Sequence, residues 1–140
     1  MRLVVDANVL FSAFLRKGVT RQLILDRRLE LFAPEFLIDE YTKHSNELIE
    51  RSGLEKDNAL RLISLLFARI VIVKTNELLL YKDAAKHLTT DENDEAYIAC
   101  ALATRADLWS RDRHLKTGRI RCWSTEELAK KLILKKDNFK

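Results

Sequence analysis

Four acidic residues occupy positions from which a folded chain can gather them: Asp6, Glu40, Asp94 and Asp112. Asp6 directly follows the apolar Leu3, Val4 and Val5, the signature of a buried strand, and Asp112 follows the segment Asp107 to Ser110 by two residues. Asp94 stands in the opening turn of an Ala-rich helical segment, and Glu40 lies on a helix expected to begin at Pro34. In a parallel α/β sheet ligands bind beyond the carboxyl ends of the strands, so acids placed there converge although they are distant in sequence. Such oxygen donors suit Mg²⁺ or Mn²⁺, whereas the lack of clustered His and Cys argues against zinc. His44, His87 and His114 show no ligand spacing, and only His114 stands near one of the four acids in the chain. Singly, each residue has a simpler reading. Asp91, Glu92 and Asp94 suit the positive end of a helix dipole. Glu40 suits an exposed helix face, and Asp112, between Arg111 and Arg113, suits a solvated surface. Asn8 and Ser110 read equally as a turn or cap residue and a strand-end hydroxyl. Asp6 is harder to dismiss, since an acid directly after an apolar run belongs to the loop at a strand's mouth.

The elements that must position these residues alternate along the chain. Arg2 to Asp6 reads as a strand feeding a helix over Asn8 to Arg16, and Thr20 as the cap of a second helix over 21–28. Leu29 to Ala33 makes a short strand, and Pro34 suits the first turn of a third helix running toward Glu50. Ser52 and Gly53 break that helix; Leu60, Ile63, Leu66 and Phe67 then recur at helical spacing. Ile70 to Val73 is β-branched and reads as a buried strand, followed by one helix bearing Leu78, Leu79, Tyr81 and Ala85. Thr90 opens a central helix marked by Ala96, Ala99, Cys100 and Ala103. Asp107 to Ser110 and Ile120 to Trp123 complete the strands, and Ser124 with Glu127 forms a capping-box pattern for a last helix. Strands alternating with helices predict an α/β fold, a central parallel sheet of about four to five short strands flanked by helices.

The 140 residues fit a single domain, 1–140 with a core over about 2–134. With 47% apolar and 33% charged residues but only three Gly and one Pro, the chain reads as a helix-rich globule rather than a disordered or fibrous one. No run approaches the ~20 apolar residues that span a bilayer, and Asp6 interrupts what a signal peptide would keep apolar. The expectation is therefore a cytoplasmic protein without a membrane partner. Cys100 and Cys122 are too few for a disulfide framework and read as buried thiols. The net charge is only +4. Setting aside Asp6, Glu40, Asp91, Asp94 and Asp112 leaves 25 Lys and Arg against 16 acids. An acidic pocket in a basic surface suits a polyanion that reaches the site through bound metal.

The combination of motifs resembles the PIN-domain nucleases, among them the VapC toxins of prokaryotic toxin–antitoxin pairs. VVDANVLFSAFL is similar to the family's first motif, a strand ending in the first catalytic Asp, here Asp6, followed by Asn8. APEFLIDEY resembles the second motif and places the second acid at Glu40. DENDEAYIACALATRADLWSRD resembles the third and fourth, supplying Asp94 and Asp112, with Asp91 as an accessory acid. Ser110 stands where the family more often has Thr, and a hydroxyl is retained. The likeness runs from Arg2 to about Leu134, although residues 46–86 match only in the rhythm of their elements.

The resemblance implies a divalent-metal-dependent endoribonuclease, with Mg²⁺ or Mn²⁺ held by Asp6, Asp94 and Asp112 and assisted by Glu40. It further implies products with a 5′-phosphate and a 3′-hydroxyl, an antitoxin protein as partner, and a homodimer. Tyr41, Leu48 and Ile49, with apolar positions over 57–67, offer the surface expected for the dimer. Arg16, Lys17, Arg21, Arg111, Arg113 and Arg119 are the candidate RNA-binding rim, against the plainer reading of solvated surface charges. A receiver domain, also parallel α/β with clustered acids, needs an acid pair after the first strand and an Asp after the third. Here Asp6 stands alone and Val73 is followed by Lys74. The same fold also accommodates an RNA- or protein-binding module with weak catalysis, or an RNA-processing nuclease without an antitoxin.

Overall fold

Leu3, Val4 and Val5 are wholly buried, and the reason is visible in what covers them. They belong to β1 (Arg2–Val5), the middle strand of a five-stranded sheet with β2 (Glu30–Pro34), β3 (Ile70–Val73), β4 (Asp107–Trp109) and β5 (Cys122–Trp123). The order is β3-β2-β1-β4-β5 and every pairing is parallel. Val4 stands between Phe32 and Leu108. The computed structural model describes residues 1–111 and 118–138, with backbone alone for 134–138.

Successive strand side chains point to opposite faces. Leu3, Val5, Leu31, Ala33 and Trp109 accordingly enter one apolar cluster, while Val4, Phe32 and Leu108 enter another. The first cluster receives α1 (Ala7–Leu15), α2 (Val19–Ile24), α3 (Phe36–Ser52), α4 (Lys56–Phe67) and α8 (Thr125–Asn138). The second receives α5 (Thr75–Leu78), α6 (Lys82–Leu88) and α7 (Glu92–Thr104). A strand covered on both faces reads as a continuous apolar run, which is why no alternation shows in the sequence. Each such side chain contributes roughly 1.5–3 kcal/mol on burial, so Leu3→Ala in the middle strand costs about 2–5 kcal/mol.

Several expected boundaries move, each for a local reason. α2 starts at Val19 after Gly18 and ends at Ile24, so Thr20 lies inside it rather than capping it. The turn that replaces its second half is fastened by Arg69, whose guanidinium donates to the carbonyls of Ile24, Asp26 and Leu29. Pro34 ends β2 rather than opening α3: β1 has stopped pairing at Phe32, so no partner there needs the missing N–H, and Pro34 sits in register with Val73 of β3. The single helix expected after β3 is two, α5 and α6, joined by a 3-10 turn over Leu79–Tyr81. α7 begins at Glu92 with Asp91, not Thr90, as its cap.

The expected end of α3 and start of α8 hold. Gly53, at φ 71°, takes the left-handed conformation that ends α3, where a Cβ would be strained. Ser124 Oγ accepts from Glu127 N at 3.1 Å and Glu127 Oε1 accepts from Ser124 N at 3.1 Å, the reciprocal box that starts α8. Cys100 is buried, which pushes its thiol up to about 12, whereas Cys122 is only half-buried. Leu48 is buried in the core and Tyr41 packs edge-on against Phe67, so α3 commits to α4 much of the apolar surface assigned to a dimer. Among the described residues no helix is long and apolar enough to cross a membrane.

Candidate active site at the carboxyl edge of the sheet

Asp6 is the hinge between β1 and α1. Its N–H donates to the Trp109 carbonyl at 3.1 Å, extending the ladder to β4, and its carbonyl receives Val9 N and Leu10 N to start α1. Its side chain makes no capping bond to that helix. Instead Ser110 Oγ, one residue past β4, donates to Asp6 Oδ2 at 2.8 Å. Ser110 is 4% exposed and is held by Ser110 N donating to the Trp123 carbonyl. The hydroxyl at the end of β4 thus fixes the carboxylate at the end of β1.

The other side of the site comes from α3 and α7. Glu40, in the second turn of α3, accepts a short hydrogen bond from the Tyr97 hydroxyl of α7. Tyr97 is buried with its ring edge-on to Phe36, 6.1 Å between centroids. Burial raises the pKa of Glu40, the Tyr97 bond opposes this, and the negative charge of Asp6 raises it further, while His44 and Lys43 lower it. Tyr97 is itself pushed far up, by burial first, then by Glu40 and by the charge of Asp6. The field of Asp6 therefore reaches both partners of the Glu40–Tyr97 bond. Asp94, one helical turn before Tyr97, is 7% exposed.

Asp91 has a separate task, since its Oδ1 accepts from Asn93 N at 2.9 Å as the N-cap of α7. Asp112 lies outside the described residues, as do Arg113 and His114. Among the described residues no three His, Cys, Asp or Glu side chains are arranged to hold one ion. In kind the donors fit a hard divalent cation, because carboxylate and hydroxyl oxygens line the site; in number the set calls for Asp112 as well.

Of the basic candidates, Arg16 and Arg111 are exposed and line one cleft with Asn8. Lys17 and Arg119 are exposed. Arg21 is bound within the fold, donating to the carbonyls of Ala13 at 2.7 Å and Phe14 at 3.0 Å at the end of α1. Sequence reading missed Tyr97 and Arg51. The i, i+3 spacing of Asp94 and Tyr97 carried a signal for the first; nothing in the sequence tied Arg51, on α3, to Arg16 and Arg111.

A five-stranded parallel sheet with carboxylates at its carboxyl edge, one of them held by a strand-end hydroxyl, defines the class. The family model of the PIN domain matches residues 4–133, and the chain belongs to that family. No curated protein matches its sequence. Among solved structures the fold is similar to VapBC2 from Rickettsia felis bound to a DNA fragment from their promoter. The TM-score there is 0.68 at 13% identity, covering 89% of this chain and 98% of that one. It is also similar to a toxin–antitoxin complex from Klebsiella pneumoniae, with TM-score 0.64 at 13% identity, covering 88% of this chain and 97% of that one. At such identity the likeness shows the fold.

Proposed function

We propose that this chain is a divalent-metal-dependent endoribonuclease and the toxin of a toxin–antitoxin pair, acting in the cytoplasm as a homodimer. The observation that carries the reading is a pair of hydrogen-bonded carboxylates at the carboxyl edge of the sheet, Asp6 held by Ser110 and Glu40 held by Tyr97, with the charge of Asp6 helping to raise the pKa of Glu40. Membership of the PIN-domain family supports nuclease chemistry, and the toxin–antitoxin complexes of similar fold support the antitoxin partner.

Asp6, Asp94 and Asp112 would hold Mg²⁺ or Mn²⁺, with Glu40 assisting. When bound, the cation supplies Lewis acidity toward phosphodiester and water and offsets developing charge. The chain's own part is orientation. Ser110 holds the Asp6 carboxylate in place, and Tyr97 does the same for Glu40. Water adds to phosphorus, the bond to the 3′ oxygen breaks and that oxygen takes a proton, leaving a 5′-phosphate and a 3′-hydroxyl.

Incubating the purified protein with RNA in Mg²⁺ or Mn²⁺ and sequencing the ends tests this. We expect cleavage that EDTA stops and that Asp6→Asn lowers at least ~100-fold. Full activity in EDTA overturns the metal mechanism. RNA that is bound but never cut, in any divalent metal, favours the binding module instead.

A further inference from the structure

We infer that the cleft between α5 and α7 is a base pocket that takes a guanine of the RNA strand; the inference rests on the nuclease reading for its ligand. The cleft holds about 190 Å³, and its walls are apolar: Pro34 at the end of β2, Phe36 at the start of α3, Leu78, Leu79, and Ala96 and Ala99 of α7. Drug-sized ligands fill roughly 300 Å³ or more, so this space admits one flat ring and little else. Leu79 is 61% exposed beside it, an apolar wall that a ring laid against it would cover.

Polar groups stand at the rim. Glu92 and Glu95 come from neighbouring turns of α7, Lys82 opens α6 and Thr75 opens α5. Among the described residues the side chains of Glu92, Glu95 and Lys82 make no hydrogen bond or ion pair. An ionised carboxylate only accepts. Of the four RNA bases, guanine alone presents two adjacent donors, N1–H and the N2 amino group, to one carboxylate. Adenine and cytosine set a ring-nitrogen acceptor beside their amino group, and uracil flanks its N–H with two carbonyls. Glu95, the less exposed of the two acids, takes the pair of donors. An apolar side chain from a protein would fill the same space but cover the carboxylate without supplying a donor. An arginine would bring donors, together with a positive charge set against Lys82. The ammonium of Lys82 suits instead the phosphate beside the base.

The pocket opens on the edge of the sheet where the acids lie. Pro34 ends β2 and Thr75 stands two residues past β3, as Asp6 stands directly past β1. Strands pair about 4.8 Å apart, so β2 and β3 lie roughly 5 and 10 Å from β1. Phe36 joins the two places, since it lines the cleft and its ring meets edge-on the ring of Tyr97, whose hydroxyl donates to Glu40. Single-stranded RNA is read by splaying bases out of the strand. A guanine seated here leaves a neighbouring phosphodiester to Asp6 and Glu40, and so selects which bond is cut.

The test measures, by fluorescence anisotropy, binding of short labelled oligouridines carrying a single guanine, adenine or cytosine at the same position. The protein is the full-length Asp6→Asn variant in EDTA. The guanine oligonucleotide should bind about tenfold tighter than the others, the low end of what a bidentate base contact discriminates. Glu95→Gln, which turns one acceptor into a donor, and Ala96→Leu, which fills the cleft, should each abolish that preference. Lys82→Gln should weaken all the oligonucleotides alike. Melting curves verify folding, and Glu95→Gln, a change at the rim, decides alone if Ala96→Leu does not fold. Equal affinity for every oligonucleotide would overturn the pocket, as would an intact guanine preference in Glu95→Gln. Loss of association between copies in Ala96→Leu, with the guanine preference unaltered, would overturn it in favour of a protein contact. The two readings fail separately. Guanine preference in EDTA without cleavage in Mn²⁺ supports the pocket and removes the nuclease. Cleavage by the wild type with no guanine at a fixed place beside the cut, unchanged in Glu95→Gln, removes the pocket alone.

Discussion

Glu40 carries opposed influences whose balance has a sign. Burial and Asp6 raise its pKa above the ordinary 4.5, and the Tyr97 hydrogen bond lowers it by less. A carboxyl whose folded pKa is raised binds protons more tightly in the native state, so the stability it contributes is lost as pH rises from the unfolded value through the folded one. At neutral pH the charged form is therefore a net cost. Glu40→Gln removes the charge and keeps an acceptor for Tyr97. We expect it to raise the melting temperature at pH 7 in EDTA, with a gain that shrinks as pH falls toward 4.5. Since Glu40 is half-buried, screening holds the gain below about 1 kcal/mol. Thermal melts over that range check it, and a gain that grows toward low pH contradicts it. The positions of Asp6 at the end of β1 and Asp94 in the first turn of α7 were legible because strand ends and helix starts are local features, whereas Glu40 was named only through the family resemblance. Tyr97 was not, because its partner Glu40 is 57 residues away and only the fold brings the start of α3 against α7, where Phe36 and Glu40 meet Tyr97.

At the scale of elements, local chemistry was readable wherever one segment satisfied its own ends. The Ser124–Glu127 box and the Ser52–Gly53 break are such cases. The errors fell where a distant segment supplied the missing partner, as Arg69 does for the turn after α2 and β3 does for Pro34. Arg21 belongs to the same class, since its charge invited an RNA contact but its guanidinium closes the carbonyl end of α1. Hydrogen bonds from a charged donor contribute about 1.5–3 kcal/mol, so Arg21→Gln should destabilise the fold by about that amount. RNA affinity at a temperature where the variant is folded should be unchanged. A variant that melts like wild type yet loses RNA would return Arg21 to the binding surface.

For the molecule as a whole, the surface left over after the core is complete bears on assembly. Leu60 and Leu65 of α4 remain 41% and 62% exposed on either flank of its buried stripe of Ala59, Ile63 and Leu66. If the proposed homodimer uses this helix, Leu60→Lys with Leu65→Lys should convert it to monomer with little loss of stability. Light scattering reads the outcome. A 16.3 kDa wild-type monomer at micromolar concentration removes the dimer.

The stability of the whole fold also reports on the acid cluster. Asp94 is 7% exposed, and the charge of Asp6 already raises the pKa of Glu40 nearby. Buried like charges add repulsion to the cost of leaving water, and a cation relieves both. Binding to the native state alone stabilises by about 2.7 kcal/mol at a concentration 100 times the dissociation constant, so Mn²⁺ should raise the melting temperature of the wild type by several degrees. Asp94→Asn should melt higher than wild type in EDTA and gain less from Mn²⁺. A first-turn acid that only served the helix dipole would behave in the opposite way, since its loss forfeits about 0.3–1 kcal/mol. The side-chain cap of α7 is Asp91, so that helix start does not depend on Asp94 for its capping bond. Melting curves in EDTA and in Mn²⁺ decide between the roles: if Asp94→Asn melts below wild type without metal and gains equally from Mn²⁺, Asp94 is part of the scaffold and not a ligand.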